Sequence, residues 1–197
     1  MRLIILFLIV FIISACGKNA EKAAQKAESS KQEYLRKGGE IVSLTQSELL
    51  KNVSHALKKG GPGYAIEFCN LRAMLLKDSL SRLNNCQIRR IAIKYRNPKD
   101  MPQTKAEKDQ LFKYQDAFEQ GDSIKPEVYF FDDRIEYYSP IFLDKGACLI
   151  CHGNPGKQIA DETLEKIKAL YPIDLATGFE LNDFRGAWKI TFIKDSI

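Results

Sequence analysis

The sequence lacks several features that would point to common functions. No run of basic residues is interleaved with aromatic ones, so nucleic-acid binding has no support despite a formal net charge of +5. No apolar run reaches the roughly 20 residues that a membrane-spanning helix needs. No internal repeat is present, and 197 residues are too few for two domains of full size. We therefore expect one domain with additional N-terminal residues.

The composition favours a packed domain over a disordered chain. Apolar residues make up 45% of the sequence, and 8 Tyr, 11 Phe and 1 Trp supply large side chains for a core. The 5 Cys do not suggest a disulfide framework, so each needs its own explanation.

The N-terminus predicts export and lipidation. Residues 3–13 form an unbroken apolar run after Met1-Arg2, which is typical of a secretory signal and too short to span a bilayer. Residues 13–17, Ile-Ser-Ala-Cys-Gly, resemble a bacterial lipobox, in which Cys16 is acylated and becomes the new N-terminus. The alternative is a generic signal peptide followed by an incidental cysteine. We expect residues 1–15 to be the signal peptide of an exported lipoprotein on the periplasmic face of the inner or outer membrane.

The residues after the lipobox differ from the rest of the chain. Residues 16–40 are rich in Lys, Glu, Ala, Gln and Ser, and they contain few apolar groups that could pack. We interpret them as a polar tether that holds a folded domain, residues 41–197, away from the membrane.

Local signals in the domain predict an α+β fold. Capping boxes at Thr45 and Thr104 predict two helix starts, and Gly60-Gly61-Pro62 predicts the end of the first helix. A second helix is expected over residues 64–84, with one apolar stripe made of Ala65, Cys69, Ala73, Leu76, Leu80 and Leu83.

The remaining elements predict an antiparallel sheet of four or five strands. Alternating apolar and polar residues predict a strand over 88–95 and a last strand over 186–193. Residues 128–131 and 135–138 flank Asp132-Asp133 as in a β-hairpin, and residues 161–170 read as a short helix.

Residues 148–152, Cys-Leu-Ile-Cys-His, carry the motif of covalent haem attachment. Cys148 and Cys151 are spaced to bind the two vinyl groups of one porphyrin, and His152 is then held over the iron as an axial ligand. A zinc site would need four ligands, for which few candidates are left, and residues 153–156, Gly-Asn-Pro-Gly, forbid the helix that follows a thioredoxin-like motif. We predict one covalent haem c.

The second axial ligand is open among five residues. His55 and Met74 project away from the apolar stripes of their helices, and Met101 lies in a loop. Cys69 lies in the apolar stripe of the second helix, where a flat ring could pack. A thiolate ligand at Cys69, a buried inert cysteine, and a disulfide between Cys69 and Cys86 all fit the residues alone.

Several motifs together resemble a family of exported single-haem proteins with a PAS-like haem-c-binding domain, formerly a domain of unknown function. The resemblance runs from about Thr45 to Phe192. Its motifs are Ala-Ile-Glu-Phe-Cys-Asn at 65–70, Arg-Ile-Ala-Ile-Lys-Tyr-Arg-Asn-Pro at 90–98, Tyr-Ser-Pro at 138–140, the haem motif with Gly153, Tyr-Pro at 171–172, Ala-Thr-Gly-Phe at 176–179 and Asp-Phe-Arg-Gly-Ala at 183–187.

The resemblance implies a fold and a ligand set. The fold would be a PAS-like antiparallel sheet with long N-terminal helices and one covalently bound haem. Cys69 would be the axial ligand opposite His152, and Arg96, Asn97 and Pro98 would line the haem pocket. Two departures are the Leu-Arg-Ala-Met at 71–74, where the family often has an Ala-Pro pair, and Cys86, which has no family role.

These expectations lead to two candidate functions. His/Cys ligation stabilises ferric iron and gives a thiolate bond that weakens on reduction, which suits a redox or gas sensor that signals through a protein partner. The alternative is a small lipoprotein that transfers one electron. An enzyme is not expected, because no spare histidine is well placed as acid or base. Candidates to pair with the haem propionates are Arg90, Lys94, Arg96, Lys157 and Arg185, of which Arg96 is preferred.

Overall fold

The computed structural model describes residues 2–194, including the side chains of residues 20–71 and 75–194. The side chains of Cys16 and Met74 lie outside the described residues, as do those of the predicted signal peptide. The elements in chain order are α1 (Arg2–Leu83), β1 (Gln87–Ile91), a 3-10 helix (Pro98–Asp100), α2 (Lys105–Glu119), β2 (Glu127–Phe130), β3 (Arg134–Phe142), α3 (Gly146–His152), α4 (Asp161–Leu170) and β4 (Phe184–Ile193).

The four strands form one antiparallel sheet in the order β1-β4-β3-β2. The long strand β4 is therefore central, because it pairs with β1 on one side and β3 on the other. The long N-terminal helix and the antiparallel sheet confirm the predicted α+β fold. In the described part of the chain, no helix combines the length and apolar character needed to cross a membrane.

The sheet has a buried cluster on each face. Trp188, Ile190 and Phe192 of β4 pack with α1, as the predicted alternation of that strand requires. Ala187 lies on the other face, where it packs with Leu111 and other residues of α2. Both faces of β4 are covered, which explains why nearly the whole strand is buried.

Helix α1 is broken at the predicted glycines. Gly60 has φ −153° and ψ 20°, and Gly61 has φ 72° and ψ −169°, so neither residue is helical. The positive φ of Gly61 lies in the region that L-residues avoid and glycine tolerates. The break divides α1 into two arms, residues 2–59 and residues 62–83. Val42 of the first arm and Leu80 of the second pack in the same cluster against the sheet.

The helix predicted to start at Thr45 starts much earlier. Thr45 is buried inside α1, and its hydroxyl donates to the Ile41 carbonyl at 2.7 Å, so the capping-box prediction is wrong. The upstream residues of α1 do contact the domain, because Tyr34 is buried against Phe192 and Gly38 lies against the ring of Tyr137. The packed region therefore extends to the N-terminal side of residue 41, and a tether role for the earlier residues stays a prediction.

Two other boundaries differ from the sequence prediction. Leu83, predicted in the apolar stripe, is 75% exposed because α1 ends there beyond the edge of the core. Strand β1 ends at Ile91 rather than at residue 95, since the Ala92 N–H donates to the Asp100 carbonyl at 2.9 Å instead of to a neighbouring strand.

The most local predictions are confirmed. Thr104 caps α2 by accepting a hydrogen bond from the Glu107 N–H at 3.2 Å. The hairpin forms between β2 and β3, with Phe130 paired to Ile135. Helix α4 has the predicted bounds, Asp161–Leu170.

Candidate functional site

The two arms of α1, the end of β1, α3 and β4 enclose a cavity of about 210 Å³. Its apolar wall comes from α1 on both sides of the break and from the sheet. These apolar residues are Leu49, Leu50, Val53, Leu57, Ala65, Ile66, Leu76, Ile141, Phe142 and Trp188. Charged side chains from α1, β1, β4 and the segments after β1 and β3 also line it, so the cavity suits a molecule with a large apolar body and a few polar groups.

The residues singled out by the sequence meet in this cavity. Cys148, Cys151 and His152 lie in α3, and Cys69 lies on the second arm of α1. All four line the cavity. Helix α3 ends at His152, and Gly153 is needed next to it because a Cβ there would lie 2.7 Å from the Leu149 carbonyl oxygen.

The hydrogen bonding of His152 leaves one ring nitrogen available. Nδ1 lies 2.8 Å from the Ala176 carbonyl oxygen, and since a carbonyl only accepts, Nδ1 carries the proton. Burial, together with Arg185 and Arg96, holds the pKa of His152 well below its usual value, so the ring is neutral. A neutral imidazole with Nε2 free and Nδ1–H donating to a backbone carbonyl is the usual arrangement of a metal-ligating histidine.

Arg96 holds the loop that supplies this carbonyl. Its Nε donates to Asp174 Oδ1 at 3.1 Å, and its Nη2 donates to the carbonyls of Cys151 at 2.7 Å and Ala176 at 3.3 Å. Asp174 Oδ1 also accepts from the Ala176 N–H at 3.0 Å. Arg96 and Asp174 are both buried. Arg96 is therefore a positioning residue, whose guanidinium is already used by Asp174 and two carbonyls.

Of the other two residues predicted to line the haem pocket, Asn97 does line the cavity and Pro98 is not among the lining residues. Asn97 lines the cavity beside Arg96, and its side chain accepts from the Lys99 N–H at 3.0 Å. Pro98 is exposed and begins the short 3-10 helix that carries Asp100.

Asp100 is the centre of a second charged group at the cavity. Arg90 donates to its Oδ2 from Nε at 3.0 Å and from Nη2 at 2.6 Å, and Lys77 lies 3.5 Å from Oδ1. Burial raises the pKa of Asp100, but Arg90 and Lys77 outweigh it and keep that pKa below its usual value. Asp100 is thus ionised and neutralises part of the positive charge of the lining.

Cys69 lies in an electropositive part of the cavity. Burial raises the pKa of its thiol, while Arg90 and Arg96 act in the opposite direction. Burial also raises the pKa of Cys151, to about 11. These thiols are protonated in the protein alone, and the two guanidiniums would favour a thiolate at Cys69 once it binds a cation.

The other candidate ligands lie elsewhere. His55 is exposed on α1, and Met101 is 45% exposed in the loop before α2. Cys86 is buried between α1 and the sheet, in the cluster that contains Ile88. Cys69 and Cys86 are both free cysteines.

Three of the five candidate propionate partners line the cavity, namely Arg90, Arg96 and Arg185. Lys157 is exposed, and Lys94 donates to the Thr177 carbonyl at 2.8 Å. Arg185 is 5% exposed. The sequence favours Arg96 as the propionate partner, and it carries no signal for the different hydrogen-bond partners of Arg96 and Arg185.

The described residues contain no cluster of three or more His, Cys, Asp and Glu side chains able to hold a bare metal ion. The four ligands that a structural zinc takes are therefore not assembled around Cys148 and Cys151 among these residues.

Comparison with known proteins finds a matching family model and a similar solved structure. A family model described as Tll0287-like, Tll0287, matches residues 12–192. The crystal structure of the cyanobacterial heme-protein Tll0287 resembles this chain with a TM-score of 0.62 and 22% identity, covering 82% of this chain and 96% of that one. At this identity the structural likeness concerns the fold. None of the curated proteins matches the chain.

Proposed function

The chain belongs to the Tll0287-like family, and from this premise we propose that it is a haem protein with one covalently attached haem c that acts as a redox or gas sensor. The family match agrees with the resemblance predicted from the motifs. The observation that carries the proposal is the meeting of Cys148, Cys151, His152 and Cys69 at one cavity. In this proposal the protein signals through a partner and catalyses no reaction itself.

The residues present fit a haem. Cys148 and Cys151 would hold the ring through thioether bonds, and the free Nε2 of His152 would ligate the iron. Cys69 would supply the opposite ligand as a thiolate, favoured by Arg90 and Arg96. When bound, haem supplies an iron that changes its charge by one electron and accepts a small gas at a free position.

The break in α1 supports a sensor. Residues of both arms line the cavity, with Leu57 before the break and Ala65 after it. A change of the bond at Cys69 would therefore act on the second arm, close to the glycines that separate it from the first. The first arm leads towards the N-terminus and could carry the change to a partner.

Optical spectra of the haem-loaded chain test this role. We expect carbon monoxide to change the ferrous spectrum, because Cys69 would release the iron on reduction, and to leave the ferric spectrum unchanged. Low-spin spectra in both states that do not change when carbon monoxide is added would contradict a sensor and support the alternative, one-electron transfer.

Covalent attachment is tested by mass spectrometry, since the double variant Cys148→Ser and Cys151→Ser should lose the mass of the haem.

We also propose that the protein is exported and held at a membrane by a lipid on Cys16, because residues 13–17 match a lipobox. Cys16→Ser should move the protein from the membrane fraction to the soluble fraction, whereas the control Cys86→Ser should leave it in place. An unchanged distribution for Cys16→Ser would contradict the lipid anchor.

A further inference from the structure

Arg185 differs from the other positive side chains of the cavity in having no acidic partner. Lys77 and Arg90 both pair with Asp100, and Arg96 pairs with Asp174. Among the residues that the structure describes, no carboxylate lies within ion-pair distance of Arg185. Its Nη1 donates to the Lys94 carbonyl at 2.8 Å, and its Nε is buried with no hydrogen-bond partner.

An unpaired buried cation is costly, so its presence needs an explanation. Arg185 is only 5% exposed. Burial, together with Arg90 and Arg96, lowers the pKa of Arg185 to about 9, which still leaves the guanidinium charged at neutral pH. Asp100 and Asp174 act on the Arg185 guanidinium only from beyond ion-pair distance, so among the described residues this cation has no direct acidic partner.

A β-bulge brings Arg185 to the cavity. Across β3 and β4, Ile141 pairs with Gly186 and Phe142 pairs with Phe184, which leaves Arg185 without an opposite residue. In a regular strand, Arg185 would share the α2 face with Ala187. The extra residue instead lets it line the cavity together with Trp188.

The backbone at the bulge requires a glycine at position 186. Gly186 has φ +145°, and a Cβ on it would lie 2.4 Å from the Ile91 carbonyl oxygen. Bulges often redirect a side chain beside a functional site. The unpaired charge and the bulge are independent observations, and both concern the same guanidinium.

We propose that Arg185 is the carboxylate-binding residue of the cavity, and that the carboxylate is a propionate of the haem. This inference rests on the proposed function for the source of the carboxylate, while the shared chemistry is carboxylate recognition by a buried guanidinium. A small free carboxylate is the other source that the same site would accept. Arg96, the residue preferred from the sequence, positions the loop that holds His152 instead.

Resonance Raman spectroscopy of the haem-loaded full chain tests whether a propionate binds Arg185. Arg185→Gln should shift the propionate bending band, and Arg185→Lys, which keeps the charge but loses the planar fork, should shift it less. The control Arg89→Gln removes the same charge from the neighbouring strand, where Arg89 pairs with Glu107 on the α2 side, and should leave the band in place.

The reduction potential should fall in Arg185→Gln, because loss of a nearby positive charge favours ferric iron.

A titration with acetate distinguishes the two sources. If a propionate occupies Arg185, acetate should not change the spectrum of the wild-type chain. A spectrum that changes with acetate in the wild type but not in Arg185→Gln would show that the site takes a free carboxylate. The proposal would be overturned if Arg185→Gln showed no shift of the band and acetate changed no spectrum. If Arg185→Gln fails to fold, Arg185→Lys carries the same comparison.

Failure of the proposed function gives a different result. A wild-type chain whose mass shows no bound haem would contradict that function. The acetate arm then uses the unloaded chain, with the melting temperature as the readout. A rise in melting temperature with acetate in the wild type, and none in Arg185→Gln, would still support carboxylate binding. The same melting temperature with and without acetate in the wild type would overturn it.

Discussion

Arg96 and Asp174 form the buried ion pair on which the geometry of His152 depends. The guanidinium and the His152 ring share the Ala176 carbonyl as acceptor, at 3.3 Å and 2.8 Å. Asp174 fixes the same carbonyl-bearing residue through its N–H. The tautomer of His152 is thus set by residues far away in the sequence.

Replacing Arg96 tests this dependence. Arg96→Gln should lower the free energy of unfolding by about 3–5 kcal/mol, because it leaves the Asp174 carboxylate buried without a partner. Asp174→Asn in the same chain should recover part of that loss. Urea unfolding of the two single variants and the double variant measures the coupling, and strictly additive losses would contradict a shared clamp.

Gly186 is the residue at which the backbone of the site is least replaceable. Gly186→Ala should destabilise the protein by at least about 1–3 kcal/mol, since a positive φ is combined with a clash against the Ile91 carbonyl oxygen. Gly63→Ala is the matched control: it lies in α1 with open space around its Cβ, and it should be neutral or stabilising. Equal melting temperatures for the two variants would contradict a strained bulge.

One buried carboxylate of helix α2 binds two strands of the sheet. Glu107 accepts hydrogen bonds from Arg89 Nη1 at 2.6 Å, Lys189 Nζ at 3.0 Å and the Gln103 N–H at 2.6 Å. Burial raises the pKa of Glu107, but these partners outweigh it and leave the pKa below its ordinary value of 4.5. The stabilisation is therefore present above about pH 4.5 and is lost as the pH falls through the folded-state pKa.

Glu107→Gln should remove this pH dependence. At pH 7 the variant should be less stable than the wild type by about 1.5–3 kcal/mol, the range for a hydrogen bond to a charged group. At about pH 3.5 the difference should shrink, because the unfolded wild-type chain then binds a proton at Glu107 more readily than the folded chain does. Urea unfolding at both pH values measures this, with exposed Glu165→Gln as control. The same difference at both pH values would contradict the prediction.

Helix and strand boundaries are predictable from the sequence where they are set by residues close together in the chain. Thr104 and the hairpin residues Asp132-Asp133 act within a few positions, so α2, β2 and β3 form where expected. The same capping pattern at Thr45 fails, because α1 already continues through it and Tyr34 packs upstream. Propensity at one residue does not show whether the neighbouring turn is already helical.

The site shows the same division between local and distant causes. Cys148, Cys151 and His152 are neighbours in sequence, so their spacing alone predicts a haem motif. The distinct roles of Arg96 and Arg185 depend on Asp174 and on a bulge between β3 and β4. An ion pair across 78 positions and an extra residue in a strand leave no periodic signal in the sequence.

For the molecule as a whole, β4 connects the two sides of the protein. Its Trp188 lines the cavity, where the indole N–H donates to Gln46 of α1 at 3.1 Å. The next residue, Lys189, binds Glu107 and Glu136 on the α2 side at 3.0 Å and 2.9 Å. The long helix, the cavity and the sheet therefore share one central strand, which suits a domain that responds as a unit to a change at its cavity.

The proposed iron ligands are tested most directly by the ferric optical spectrum of the haem-loaded chain and of two cysteine variants. Cys69→Ala should lose the thiolate-ligated spectrum, because Cys69 lines the same cavity as Cys148, Cys151 and His152. Cys86→Ala is the matched control and should keep that spectrum, since Cys86 is buried in the cluster between α1 and the sheet. A Cys69→Ala spectrum identical to that of the wild type would contradict ligation of the iron by His152 and Cys69.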